Sequence, residues 1–406
     1  MRILITLDTD WIRRNPAQHH HISERLVIRG HEVRVIDYEV LWSTEGEKEL
    51  YSRKEIYKDI TKIFSNAGVT VVRPGIVKIP LLDYASMLVT YEKEINNQID
   101  DFKPDVIIGH GLLSNYLALK SAKKNKIPHI DHIIDVNSTL IPFKFLHPLG
   151  RRAESIVAQG SDCVIVINEV LKDYAVSIGA DPDKIHVIRA GIDPDRYNTN
   201  IDGTKIRDKY SINRDDIVLF FMGWLYNFSG LKEIIKEFSK IVDKKPNIKL
   251  LIVGDGDAFL ELQKIISDYS MDKNVIMVGR QPFEKIPEHI ASSDICLLPA
   301  YNNEVMRNIV PIKLYEYMAV GKPVISTKLP GVMKEFGENN GVVYVDQPED
   351  VIAKAIYLVR NDLLCELGQR ARKFVAQNSW EKITDAVETL LADVAKSGGQ
   401  RNYVEN

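Results

Sequence analysis

Glu316 is the residue whose type and setting best suit ligand chemistry. It sits in the run Pro311-Ile312-Lys313-Leu314-Tyr315-Glu316-Tyr317-Met318-Ala319-Val320-Gly321-Lys322-Pro323-Val324-Ile325-Ser326. Pro311 fits the first turn of a helix, where a missing N–H costs nothing. Leu314, Tyr315 and Met318 give that helix an apolar stripe, and Gly321, with Lys322 and Pro323 beyond, ends it. Val324-Ile325 then reads as a short buried strand. A helical carboxylate near the end that points at a cleft accepts hydrogen bonds from hydroxyls such as those of a sugar. The plainer reading is a solvated helical glutamate.

Two other stretches bear on chemistry. After the first strand the chain runs Asp8-Thr9-Asp10-Trp11-Ile12-Arg13-Arg14-Asn15-Pro16-Ala17-Gln18-His19-His20-His21. Arg13, Arg14 and a histidine such as His20 are placed to face a phosphate-bearing ligand, and one histidine can serve as acid or base. Three adjacent histidines cannot share one helix face, so no metal site is expected. Gly254-Asp255-Gly256-Asp257 resembles the start of a dinucleotide fingerprint, but Phe259 stands where the third glycine belongs. A strand-to-helix turn without a nicotinamide cofactor is the better reading.

Alternating elements must position these residues. Candidate strands are Arg2–Leu7, Glu32–Asp37, Val69–Arg73, Asp105–Gly109, Cys163–Ile167 and Lys184–Ile188, with helical patterns at Ile22–Arg29, Tyr84–Phe102 and Leu112–Lys124. The turn-rich Ala190–Asn198 reads as a linker. A second series follows: strands at Ile217–Met222, Ile248–Val253, Val275–Val278, Ile295–Leu298, Val324–Ser326 and Gly341–Val345, with helices Ser229–Val242, Ala258–Tyr269, Phe283–Ala291 and Glu349–Arg360. Alternation of this kind implies two parallel sheets with helical crossovers. Ligands of such sheets bind beyond the carboxyl ends of the strands. That rule singles out Asp8, Asp10, His110, His132, Asp135, Gly223, Gly254, Arg280 and Pro299.

A chain of 406 residues exceeds what one core usually supports. With 45% apolar and 27% charged residues and a net charge of −3, it is a globular protein with no general attraction to nucleic acid. Its cysteines, Cys163, Cys296 and Cys365, are widely spaced and odd in number, which favours free thiols. No apolar run approaches the length of a membrane span, and the acid-terminated first strand is no signal peptide. The expected location is the cytoplasm.

The Pro-x-Lys-Leu-x-Glu-Tyr-Met-Ala-x-Gly-Lys-Pro-Val run resembles the donor-binding signature of retaining glycosyltransferases of the GT-B fold, the large family four. The resemblance extends over nearly the whole chain and is densest from Gly223 to Val345. It implies that Glu316 holds the ribose hydroxyls of a nucleotide-sugar donor. The family's first glutamate, with seven residues between the two, falls on Asn308. The family's usual Gly-Arg becomes Gly223-Trp224, and its lysine six residues after that arginine becomes Gly230. The donor diphosphate must then be neutralised elsewhere: by helix amides near Ile309 and Val310, or by Lys313, Arg307 or Arg280. Trp224 and Phe228 either pack between domains or form an aromatic platform. His132, with Asp135 second, falls where family members often carry a residue near the reacting sugar; a satisfied core histidine is the alternative. The usual glycine-rich first loop is absent, leaving Arg13, Arg14 and His20 on the acceptor side. The resemblance implies front-face displacement without a strong nucleophile, with no metal and no cofactor, the nucleotide sugar being a substrate.

Ser138–Arg152 combines apolar bulk with cations, and Lys120, Lys123, Lys124 and Lys126 form a second basic group. Such surfaces can rest on an anionic membrane, which suits a lipid-linked acceptor; a solvated helix face plus a packed loop is the other reading. The expectation is therefore an α/β protein of GT-B architecture, two doubly wound Rossmann-like domains facing across a cleft. Residues 1–198, joined by a crossing helix at 380–396, would bind the acceptor, and residues 199–379 the donor. The activity would be retaining transfer from a UDP- or GDP-sugar to a glycan or lipid-linked hydroxyl, in the cytoplasm or peripherally at the inner membrane face. The alternatives are a non-catalytic GT-B partner subunit and a GT-B nucleotide-sugar epimerase.

Overall fold

A computed structural model of the chain describes residues 1–43, 49–141 and 143–404. The chain divides into two compact units, one comprising Met1–Arg189 with the C-terminal segment from Trp380, the other Ala190–Ser379. The Ala190–Asn198 stretch thus belongs to the second unit.

The first unit runs β1 (Arg2–Thr6), α1 (Gln18–Ile28), β2 (Glu32–Ile36), β3 (Glu55–Ile60), β4 (Val69–Arg73), α2 (Leu82–Phe102), β5 (Val106–Gly109), α3 (Leu113–Lys124), β6 (His129–Ile133), α4 (His147–Gly160), β7 (Cys163–Val166), α5 (Glu169–Ser177) and β8 (Ile185–Val187). Its strands lie in the order β3-β4-β2-β1-β5-β6-β7-β8. All neighbours are parallel except β3, which runs antiparallel on the edge beside β4. The parallel strands are apolar on both faces because helices cover both sides. β3 escaped the sequence reading because Glu-Ile-Tyr-Lys-Asp-Ile is mostly exposed and carries little apolar signal. On one face Leu4, Ile36 and Ile107 pack against Tyr91, Ile95 and Ile99 of α2 and Leu117 and Ala118 of α3.

The second unit runs α6 (Thr204–Lys209), β9 (Ile217–Met222), α7 (Leu231–Ser239), β10 (Ile248–Val253), α8 (Phe259–Asp268), β11 (Val275–Met277), α9 (Ile286–Ala291), β12 (Ile295–Leu298), α10 (Ile312–Ala319), β13 (Val324–Thr327), α11 (Pro330–Phe336), β14 (Val342–Val345), α12 (Asp350–Arg360) and α13 (Leu364–Val375). Its strands lie in the order β11-β10-β9-β12-β13-β14, all parallel. In α7 the spacing of Leu231, Ile234, Ile235 and Phe238 puts all four on one buried face, against Leu219, Leu250 and Ile252 among others. Phe238→Ala would cost about 3–5 kcal/mol through the cavity it leaves.

The last helix, α14 (Trp380–Val404), returns to the first unit and packs on α1. Trp380 stacks on His21 at 4.4 Å and 7°. Arg25 pairs with Glu381 at 2.7 Å, and Arg29 with Asp385 at 2.7 Å and Glu388 at 2.8 Å. Two doubly wound sheets and a returning terminal helix are what pattern and resemblance implied. No helix among the described residues is long and apolar enough to cross a membrane.

Candidate functional site

In each unit the strand order reverses beside the first strand, which makes a crevice at the carboxyl ends. In the second unit the reversal lies between β9 and β12. Met222, the last residue of β9, meets α10 twice. Its N–H donates to Tyr317 Oη at 2.9 Å, and its carbonyl accepts from Lys313 Nζ at 2.9 Å. Gly223 follows at φ +134°, and a Cβ there would stand 3.0 Å from Lys313 Nζ. Gly254, after β10, has φ +141°, and a Cβ on it would meet Gly223 O at 1.9 Å. Both turns strain any side chain, and at Gly254 a Cβ would collide with backbone, so the two glycines form a bare backbone shelf beside an ammonium group.

Lys313 lies in the first turn of α10 with its Nζ 4.3 Å from the Phe221 ring centroid. Burial lowers its pKa to about 8, against the opposing pull of Glu316. Glu316 lies one turn on and is buried. Burial raises its pKa to about 7, while Tyr197, Arg196 and Lys313 pull it down. Arg196 stacks on Phe283 at 4.5 Å, and its buried Nη1 has no hydrogen-bond partner among the described residues. A buried carboxylate, an ammonium one turn away and a bare shelf can hold a ligand that carries hydroxyls and an anionic group together.

Other expected members of this site fall less simply. Asn308 closes a short 3-10 turn, Met306–Asn308, and its backbone abuts Gly331, where a Cβ would stand 2.9 Å from Asn308 C. The Ile309 N–H donates to Met306 O at 3.3 Å, so that amide is already committed within the turn. The Val310 side chain is buried. Arg280 is exposed beyond β11, two strands from β9 and hence about 10 Å across the sheet. Trp224 and Tyr226 are exposed, and Tyr226 stacks on Phe228 at 4.7 Å.

In the first unit the reversal lies between β1 and β5. Asp8 is spent on α3, accepting from Leu112, Leu113 and Ser114 N–H groups at 2.6–3.0 Å. Asp10 Oδ1 accepts from Ile12 N at 2.9 Å, Arg13 N at 2.8 Å and Arg73 Nη2 at 2.8 Å, which winds the loop around it. The three histidines lie inside α1 and not in the loop, because the helix starts at Gln18. His20 is wholly internal: its Nδ1 accepts from Ala17 N at 3.0 Å, which leaves Nε2–H to donate to Trp11 O at 3.0 Å. His21 faces α14. His19 lies 4.3 Å from His20 and 5.6 Å from His110, which lies 4.5 Å from His132.

His132 is within β6 rather than after it. Burial, then the positive charge of His19, lowers its pKa to about 3, and burial lowers that of His19 to about 4. These rings are therefore neutral at pH 7. Buried Thr6 Oγ1, Asp10 Oδ2, Trp11 Nε1, both His19 nitrogens, His110 Nδ1 and His132 Nε2 have no hydrogen-bond partner among the described residues. Buried polar atoms of this kind call for a ligand or water. Asp135 lies just past β6, and burial lifts its pKa to about 6. Arg13 is partly exposed and Arg14 exposed. No cluster suited to a metal ion occurs among the described residues.

Residues 202–378 match the family described as glycosyl transferases group 1, and residues 19–196 match glycosyltransferase family 4. The chain belongs to glycosyltransferase family four. Enzymes of this family take a sugar from a nucleotide-sugar donor. An uncharacterized glycosyltransferase of Methanocaldococcus jannaschii is 24% identical over 67% of this chain and 69% of its own length. The N-acetyl-alpha-D-glucosaminyl L-malate synthase of Bacillus anthracis is 26% identical over 58% of this chain and 61% of its own. Anabaena HepE in complex with UDP superposes with a TM-score of 0.74 at 16% identity, covering 97% of this chain and all of its own, which supports the GT-B fold.

The glycosyltransferase thus assembles Glu316, Lys313 and Gly223 as sequence reasoning grouped them. That reasoning missed Arg196 and Tyr197, which lower the Glu316 pKa from a segment read as linker; no spacing signal links positions so far apart. His19, His110 and His132, not His20, present ring nitrogens without hydrogen-bond partners among the described residues. The strand-end rule singles out His110 and His132; for His19 the histidine run is the available signal.

Proposed function

We propose that this glycosyltransferase moves a sugar, with retention, from a UDP- or GDP-sugar to a hydroxyl of a glycan or lipid-linked acceptor. The observation that carries this reading is Lys313 Nζ at the Gly223 turn, one helical turn from Glu316. It supplies the cation that Trp224 and Gly230 do not.

In this reading the second unit binds the donor and the first the acceptor. Glu316 accepts hydrogen bonds from the ribose hydroxyls. Lys313 neutralises the diphosphate at the Gly223 shelf, with Asn308 and Val310 beside the sugar and Arg280 toward the base. The acceptor hydroxyl attacks the anomeric carbon on the face from which the diphosphate departs. The leaving phosphate oxygen takes the hydroxyl proton as the glycosidic bond to phosphate breaks, so no protein nucleophile is needed. His132 and Asp135 orient the reacting sugar, and Arg13 and Arg14 face anionic groups of the acceptor. No step requires a metal where Lys313 and backbone amides hold the diphosphate.

The test is thermal stability against UDP, GDP, ADP and their common sugar conjugates. A ligand at a hundredfold excess over Kd stabilises by about 2.7 kcal/mol. A shift with one base, lost in Glu316→Ala, supports the donor site and identifies the nucleotide. No shift with any, in well-folded protein, would overturn it in favour of a non-catalytic GT-B subunit. Free-sugar product formed without an acceptor would favour the epimerase.

A further inference from the structure

The first unit carries two apolar outcrops on one rim, and we propose that together they seat this enzyme on an anionic lipid bilayer. One outcrop surrounds the start of α4. There Phe145 is 77% and Leu149 66% exposed, with Leu140 and Phe143 close to half. Pro142, part of the stretch the sequence singled out, lies outside the described residues. The other is the start of α2, where Val89 is 70% exposed and Leu81, Leu82 and Leu88 about half. Leu81 holds φ +71°, a conformation costly for a leucine, and so turns an apolar residue outward at the helix entrance.

Both outcrops share one edge of the unit. α2 and α4 each follow a strand of the parallel run, so both begin at its carboxyl rim. α2 packs on α3 and α3 on α4, which separates the outcrops by roughly two interhelical spacings, about 20 Å. A partner reaching both must be extended.

The charges select which partner. From Ile79 to Tyr91 the single acid is Asp83, which is buried and accepts from Tyr38 Oη at 2.9 Å. From Asn137 to Ile156 the single acid is Glu154, also buried, accepting from Ser138 N at 3.1 Å and Tyr174 Oη at 2.6 Å. Lys144, Arg151 and Arg152 are exposed. At the α4 outcrop the acid is withdrawn and cations face outward among aromatic and branched tips, while the α2 outcrop adds apolar tips with no exposed acid among them; together they match the boundary between acyl chains and anionic headgroups. Leu260 is the contrast: it is 78% exposed on α8 of the second unit, but alone, and a lone exposed leucine needs no explanation.

The test is flotation of the full chain with vesicles of phosphatidylcholine alone, or of equal parts phosphatidylcholine and phosphatidylglycerol. The protein should float with the anionic vesicles, stay behind with the neutral ones, and be released by high salt. Phe145→Ser with Leu149→Ser, and separately Leu88→Ser with Val89→Ser, should each weaken partition about tenfold or more at unchanged melting temperature. Leu260→Ser should float as the parent does. Should one pair of substitutions impair folding, the other pair and the salt series of the parent still decide. Failure to float with anionic vesicles, binding indifferent to lipid charge and salt, or outcrop variants that float normally would each overturn the proposal. So would a concentration-dependent dimer abolished by the same variants, which would assign the outcrops to a second copy. None of these outcomes bears on nucleotide binding, so this proposal and the donor-site reading fail independently.

Discussion

Replacing Lys313 with methionine should make the protein more stable and a poorer enzyme at once. Methionine keeps the unbranched stem over Phe221 but removes the charge. Lys313 keeps an ammonium in a buried position where its pKa falls from 10.5 to about 8. At pH 7 that penalty is fully present, because the pH lies below both the folded and unfolded values. A tenfold change in protonation equilibrium is worth 1.36 kcal/mol, which gives an upper bound of about 3 kcal/mol. The lost bond to Met222 O returns about 1 kcal/mol of it. Lys313→Met should therefore gain about 1–2 kcal/mol in the second unit, roughly 2–8 °C in its calorimetric transition. The sign has a pH signature. Between about pH 8 and 10.5 the unfolded chain holds a proton that the folded one lacks, so the parent gains stability there and the variant does not. The advantage of the variant should shrink across that window. Donor use should fall in the opposite sense, since a charge-assisted hydrogen bond is worth about 1.5–3 kcal/mol, or roughly 10–150-fold in kcat/KM for the donor. A variant no more stable than its parent, with an unaltered donor kcat/KM, would refute both halves of the reasoning.

The coupled pair should also set the pH profile. Donor kcat/KM should rise as Glu316 ionises near pH 7 and fall as Lys313 deprotonates near pH 8, giving a narrow bell; a profile flat from pH 6 to 9 would count against it. Tyr197→Phe removes a neighbour that lowers the Glu316 pKa, so the acid limb should move to higher pH. His20→Ala should cost about 2 kcal/mol in urea unfolding, because two internal hydrogen bonds go. His132→Ala should instead depress turnover with little change in donor KM, and equal effects of the two substitutions on unfolding and turnover would undo that distinction. Gly254→Ala should abolish soluble expression, since its methyl would overlap Gly223 O; Gly223→Ala is strained at φ +134° but meets only the end of the Lys313 side chain, so it should fold with reduced stability and lose donor affinity by displacing Lys313.

The sequence by itself determined the architecture and one anchor of the site. Short apolar runs alternating with amphipathic segments can bury their surfaces only as parallel sheet under crossover helices, so both doubly wound units were legible. Glu316 and Lys313 were legible because they share one helix, where spacing alone sets their separation. Local pattern failed where the signal was weak or distant. β3 is a polar edge strand. The histidine run opens α1 because Ala17 N and Trp11 O meet His20, a closure that no propensity encodes. Only the tertiary structure decided which titratable groups are charged. Lys313, Glu316 and the imidazoles of His19, His110 and His132 are shifted chiefly by burial, and burial is a property of neighbours brought together from distant parts of the chain. Arg196 and Tyr197 act on Glu316 in the same way: folding brings segments more than a hundred residues apart close enough to pull down the pKa of one carboxylate.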